Sequence, residues 1–300
     1  MNRVVPDRRT SLLAALALLS VTAMWGSTFF LIRDLLERVP VLDFLALRFT
    51  IAAVALAAVA PRAVRRLDRR SLRNGAVLGL LYGVAQILQT TGLAHTPASV
   101  SGFITGIYVV ATPLFAALLL RSRVPGSTWV AVALATVGLA VLSLTGFSVG
   151  VGEAITFASA LLYALHIVGL GAWSDARHAL GMSVVQLAVI AVVCFVGTAR
   201  DGLVLPSTRA DWISVVYMAL FAGALAMLAQ TWAQAHLAPA RAAIIMSMEP
   251  VFAALFAVLL GGETATLRML VGGLLVLAAM LLAELAPRRH IEAEVTHLTV

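Results

Sequence analysis

The chain has 300 residues, 61% hydrophobic and 12% charged, with mean hydropathy +1.00 and formal net charge +7. That balance excludes a soluble globular domain, which needs more charge and less apolar surface. No Gly-Lys-Ser/Thr phosphate loop occurs, so ATP hydrolysis is excluded too, and a positive charge held in short loops faces anionic lipid rather than nucleic acid.

Ten apolar stretches follow one another: Ser11–Ile32, Val41–Ala60, Asn74–Leu93, Ala98–Leu120, Thr128–Thr145, Gly152–Gly171, Met182–Ala199, Asp211–Trp232, Ala240–Leu260 and Leu267–Ala286. Each holds enough residues to cross about 30 Å of hydrocarbon as a helix. They lack the alternation of outer-membrane strands, so the expected class is an all-α integral membrane protein with ten transmembrane helices. Arg8-Arg9 precedes the first stretch with no small-residue cleavage site, so that stretch is retained as a span.

All 21 basic residues are Arg. With the N-terminus cytoplasmic, fifteen fall in inner segments, six of them between Arg62 and Arg73, and five (Arg33, Arg38, Arg200, Arg209, Arg268) in outer loops. The asymmetry predicts a multi-pass protein of the bacterial inner membrane with both termini cytoplasmic.

Two motifs occur twice. Gln89-Thr90 through Ala94-His95 returns as Gln230-Thr231 through Ala235-His236, and Thr112-Pro113-Leu114-Phe115-Ala116-Ala117-Leu118 returns as Glu249-Pro250-Val251-Phe252-Ala253-Ala254-Leu255. The expected organisation is a first repeat over 1–146, a second over 147–286 and a cytoplasmic tail over 287–300. Five spans per half invert the second half relative to the first. The prediction is an inverted five-plus-five repeat around a central cavity, an arrangement that supports alternating access.

Trp25-Gly26-Ser27-Thr28-Phe29, Leu47-Arg48-Phe49, and Met248 through Leu255 running to Gly262-Glu263 resemble the EamA family of the drug/metabolite transporter superfamily. The resemblance covers about residues 11–286. It implies a ten-helix exporter-type carrier of amino acids, other metabolites or toxic compounds, with a cavity lined by spans 1, 3, 4, 6, 8 and 9. One departure is visible: where the second half has Gly262-Glu263, the first has Arg121-Ser122-Arg123-Val124-Pro125.

Polar residues inside spans are the candidate site, because burying them in lipid is costly. Glu249 lies about 13 Å into the ninth span, directly before a proline. It reads either as a proton carrier or ligand for a substrate's positive group, or as a structural Glu bonded at a kink. Trp25, Tyr82, Gln86, Gln89, Tyr108, Tyr163, His166 and Trp232 are the other candidate substrate-binding residues, offering aromatic faces and hydrogen bonds to a small amphipathic molecule. Pro113 and Pro250 are candidate hinges. Arg48, about 10 Å below the outer surface, is shallow enough to snorkel and reads as a structural anchor, with a buried ion pair or a substrate carboxylate contact as the alternative, and Glu263 reads as a helix cap. The glycines at 75, 79 and 83 make a smooth packing face. The lone Cys194 reads as a packing residue.

No catalytic or metal-ligating cluster is apparent, and no cofactor is expected. The expected activity is secondary transport, exporting amino acids or related metabolites, with a small-molecule substrate, the lipid bilayer and proton coupling as its partners. The alternatives are export of hydrophobic drugs and, in another class, a membrane enzyme or lipid-handling protein.

Overall fold

In lipid the backbone must satisfy its own hydrogen bonds, and a helix does so locally. A computed structural model of the protein describes residues 7–96, 98–122, 124–143, 150–198, 202–260 and 264–285. The 146/147 boundary, Glu263 and the tail at 287–300 lie outside them. Among the described residues there is no strand.

The helices are α1 (Arg8–Gly26), α2 (Phe29–Leu36), α3 (Val41–Val59), α4 (Arg69–Leu93), α5 (Ala98–Gly106), α6 (Tyr108–Leu120), α7 (Gly126–Ser143), α8 (Val151–Trp173), α9 (Ala179–Thr198), α10 (Arg209–Ala219), α11 (Ala226–Gln234), α12 (Pro239–Met246), α13 (Glu249–Leu259) and α14 (Leu267–Leu285). A π-helical turn, Leu220–Leu225, joins α10 to α11. Seven helical segments among the described residues are long and apolar enough to cross a bilayer; Ile104–Leu120, Gly126–Val141 and Leu267–Ala283 are shorter apolar helices. Side-chain caps mark three starts: Asp7, Asp68 and Thr208 accept from the backbone of Thr10, Ser71 and Asp211.

Three of the expected spans are not single rods. The first breaks at Ser27 and Thr28, whose hydroxyls turn back onto the carbonyls of Met24 and Trp25 at 2.7 and 2.8 Å. The ninth breaks at Ser247 and Met248, where the Ser247 hydroxyl bonds the Ile244 carbonyl at 2.6 Å and Pro250 brings no N–H. The fourth breaks at Ile107, and Pro113 stays inside α6.

α7 packs along α14, α4 packs against both α8 and α9, α3 against α9, α1 against α11 and α13, and α6 against α8. The smooth face of α4 is used for packing: a Cβ on Gly79 would stand 2.8 Å from the Gln186 carbonyl oxygen of α9. Large apolar side chains such as Leu118, Val196 and Leu259 are left on the outside, the pattern of a lipid-facing surface.

Contacts sort the loops into two ends. At one, Arg38 bonds Asp34 at 2.6 Å and Asp211 at 2.7 Å, and Asp43 accepts from the Val204 N–H at 3.0 Å. Those carboxylates raise the Arg38 guanidinium above its ordinary value, Asp34 first. At the other, Arg241 donates to the Ser11 hydroxyl at 2.8 Å, and Ser71 lies 3.4 Å from His178 Nδ1. There Arg177 grips Asp175 and holds its carboxyl down at about 2.

Candidate functional site

Polar side chains in an apolar bundle gather where helices face one another rather than lipid. Here they converge on one cavity at the level of the helix breaks. α1 contributes Trp25, α3 Arg48, and α4 the turn-spaced Tyr82, Gln86 and Gln89. α6 contributes Tyr108, α8 Tyr163 and His166, α11 Gln230, and α13 Glu249 at its first position. There is about 50 Å³ of room for the centres of water-sized molecules. Since one water needs about 10–15 Å³ by that measure, the cavity holds a few waters, and a larger guest requires the walls to move.

Aromatic rings form one wall. Tyr82 meets Trp25 at 6.4 Å, Phe49 edge-on at 6.3 Å, Tyr163 at 5.5 Å and His166 at 5.0 Å between centroids. A hydrogen-bond chain fixes their hydroxyl ends: Gln86 Nε2 donates to Tyr163 Oη at 2.7 Å, Tyr163 Oη donates to Gln89 Oε1 at 2.8 Å, and Gln89 Nε2 donates to Thr105 Oγ1 at 3.2 Å. Side chains i and i+4 on α4 share a face, so Gln86 also reaches Tyr82 Oη at 3.2 Å. Three of these bonds join α4 to α8 or α5 and the fourth lies within α4, so the wall is preorganised.

The remaining polar groups are only partly satisfied. His166 Nε2 and Gln186 Oε1 are 2.9 Å apart, and Gln186 continues to Thr231 at 3.3 Å, while His166 Nδ1 is buried without a partner. Tyr108 Oη and Gln230 Oε1 are likewise buried and unpartnered. Among the described residues no hydrogen bond or ion pair reaches the Glu249 carboxyl, which is 9% exposed. Buried groups of this kind are rare in purely structural positions. No cluster of three or more His, Cys, Asp or Glu among the described residues is placed to hold a metal.

Eight of the nine candidate residues read from the sequence line this cavity. Trp232 does not; two residues beyond Gln230 it is turned about 200° around the helix and meets His236 edge-on at 5.0 Å between centroids. His166 is fully buried. Arg48 does not snorkel: it is 2% exposed and turned inward, with Nη2 3.2 Å from the Ala222 carbonyl oxygen. Thr28, Thr105, Gln230 and Met246 also line the cavity. Of these, Gln230 was legible as the counterpart of Gln89 in the duplicated motif.

The family model described as the EamA-like transporter family matches residues 12–144 and 150–285. An uncharacterized transporter of Archaeoglobus fulgidus is 28% identical over 280 residues, spanning 91% of this chain and 86% of that protein. The uncharacterized inner membrane transporter YedA of Escherichia coli K12 is 29% identical, with 88% and 89% covered. A probable terminal-alkyne amino-acid exporter of Streptantibioticus cattleyicolor is 29% identical, with 90% and 92% covered. One crystal structure aligns with a TM-score of 0.77 at 18% identity over 90% of this chain and 96% of the other, a likeness of fold.

Proposed function

Because this chain belongs to the EamA-like transporter family and is a transporter of that type, we propose that it is a secondary carrier exporting amino acids or related small metabolites across the inner membrane by alternating access. The observation that carries the reading is a cavity at the helix breaks, walled by both halves of the chain and lined by Glu249 and by unpartnered atoms of Arg48, Tyr108, His166 and Gln230. In this reading the aromatic wall receives the apolar part of the substrate, Gln86, Gln89, Tyr108, His166 and Gln230 its polar edges, and Glu249 its positive group. A relative at 29% identity with a probable amino-acid substrate supports the same class. Two buried ionisable side chains, Arg48 and Glu249, favour a polar substrate over an apolar drug.

The proposed machine is ten spans in two inverted halves. Exchanging the first five expected spans for the last five turns α4 against α8 into α11 against α1, α4 against α9 into α10 against α3, and α6 against α8 into α13 against α1. Each product is a contact present in the fold. Arg62 through Arg73, Arg177 and Arg241 fall toward the end that carries Arg8, and this charge asymmetry favours cytoplasmic termini. Counterflow of radiolabelled amino acids into proteoliposomes tests the reading. Accumulation driven by an unlabelled internal amino acid is expected; accumulation of hydrophobic amine dyes alone would favour drug export instead.

A further inference from the structure

Arg48 is a permanent cation with five N–H donors, buried in the middle of an apolar fold. Its contacts do not neutralise it. Nη2 bonds the Ala222 carbonyl at 3.2 Å, the Phe44 and Phe49 rings stand 5.9 and 5.2 Å from the guanidinium carbon, and Nε is sequestered with no partner. Among the described residues no carboxylate comes within ion-pair distance of it. An unpaired buried charge is strongly unfavourable, and inside a membrane such a residue is a functional site by default.

The fold also holds it in place. Residues 220–225 form the π turn, and there the Ala226 N–H bonds Phe221 and Gly223 instead of Ala222. The Ala222 oxygen is thereby freed from its helix and anchors Arg48 at the cavity wall. π turns of this kind recur at functional sites. The same cavity carries a second ionisable group, the Glu249 carboxyl, in the first turn of α13.

We propose that Arg48 receives the carboxylate of the substrate while Glu249 receives its ammonium, so that the cavity selects zwitterionic α-amino acids over amines and over simple carboxylic acids. The guanidinium fork matches a carboxylate with paired N–H donors, and both residues line the cavity whose walls must move to admit such a guest. This proposal rests on the amino-acid reading above.

The test is counterflow in proteoliposomes using an amino acid, its amide and its des-amino acid, for example alanine, alaninamide and propionate. In the wild type the amide and the des-amino acid compete at least about tenfold more weakly than the amino acid, as the loss of a charge-assisted bond requires. Arg48→Gln collapses the amino acid to amide preference and leaves discrimination against the des-amino acid. Arg48→Lys, which keeps the charge and loses the fork, gives an intermediate preference; Glu249→Gln collapses the discrimination the other way round. Equal competition by amino acid and amide in the wild type overturns the proposal and leaves the amino-acid reading standing. Absence of counterflow with every amino acid overturns both. If Arg48→Gln or Arg48→Lys lowers transport of all three compounds in the same proportion, the residue is structural and the proposal falls.

Discussion

Trp25 and Arg48, on different helices, share one acceptor: the Ala222 oxygen takes the indole N–H at 3.0 Å and the guanidinium N–H at 3.2 Å. A carbonyl that lost its helical partner to a π turn is thus satisfied twice, and two cavity walls are tied to a third. Trp25→Phe keeps most of the ring and removes one donor. Thermal unfolding in detergent should show a loss of about 0.5–1.5 kcal/mol, the usual worth of one such bond. An unchanged melting temperature would mean the indole N–H contributes nothing there.

Gly26 is the tightest junction between the two broken passages. A Cβ placed on it would stand 2.7 Å from Phe252 Cβ and 2.8 Å from the Ala253 backbone nitrogen. Backbone cannot swing aside, so Gly26→Ala should cost about 1–3 kcal/mol, the range for overpacking, and lower transport. Gly102 has nothing within 4 Å of the same position. Gly102→Ala should be neutral or stabilise by up to about 1 kcal/mol, because alanine is the better helix former. Equal melting temperatures for the two variants would contradict the close approach.

Pro113 and Pro250 look equivalent in sequence and are not equivalent in place. Pro113 lies inside α6, where its missing N–H deprives the Val109 carbonyl of its partner; Pro250 lies in the first turn of α13, where that N–H would be unpaired anyway. Pro113→Ala should therefore restore a hydrogen bond to the Val109 carbonyl and alter transport turnover more than Pro250→Ala. Measured turnover with a larger effect from Pro250→Ala would reverse this ranking.

Orientation is testable with single cysteines in a Cys194→Ala background. Ser207→Cys, on the exposed segment before α10, should label from outside intact cells, and Arg70→Cys, exposed at the start of α4, only after permeabilisation. Labelling in the opposite sense would invert the proposed topology.

Trp232 and Arg48 mark where reading along the chain stops. Both are unusual residues in apolar runs; aromatic character makes the first a cavity candidate, and depth in the span leaves the second between the membrane surface and a buried contact. Helix phase turns Trp232 onto His236, and a carbonyl 174 residues away draws Arg48 inward. Likewise, the breaks at Ser27–Thr28 and Ser247–Met248 use Ser, Thr and Pro signals that are present in the sequence but equally common in unbroken spans.

The residues alone determined the helical class, the lipid setting, the two related motifs and most of the polar side chains that meet in the cavity. Those follow from local physics: transfer of apolar surface, backbone satisfaction without water, and the cost of a polar group in hydrocarbon. The tertiary structure decided which polar atoms are spent on one another and which stay free. The Gln86–Tyr163–Gln89–Thr105 chain ties α4 to α8 and α5, while among the described residues no ion pair reaches Arg48 or Glu249. That division depends on distances between helices far apart in the chain, which no local propensity specifies.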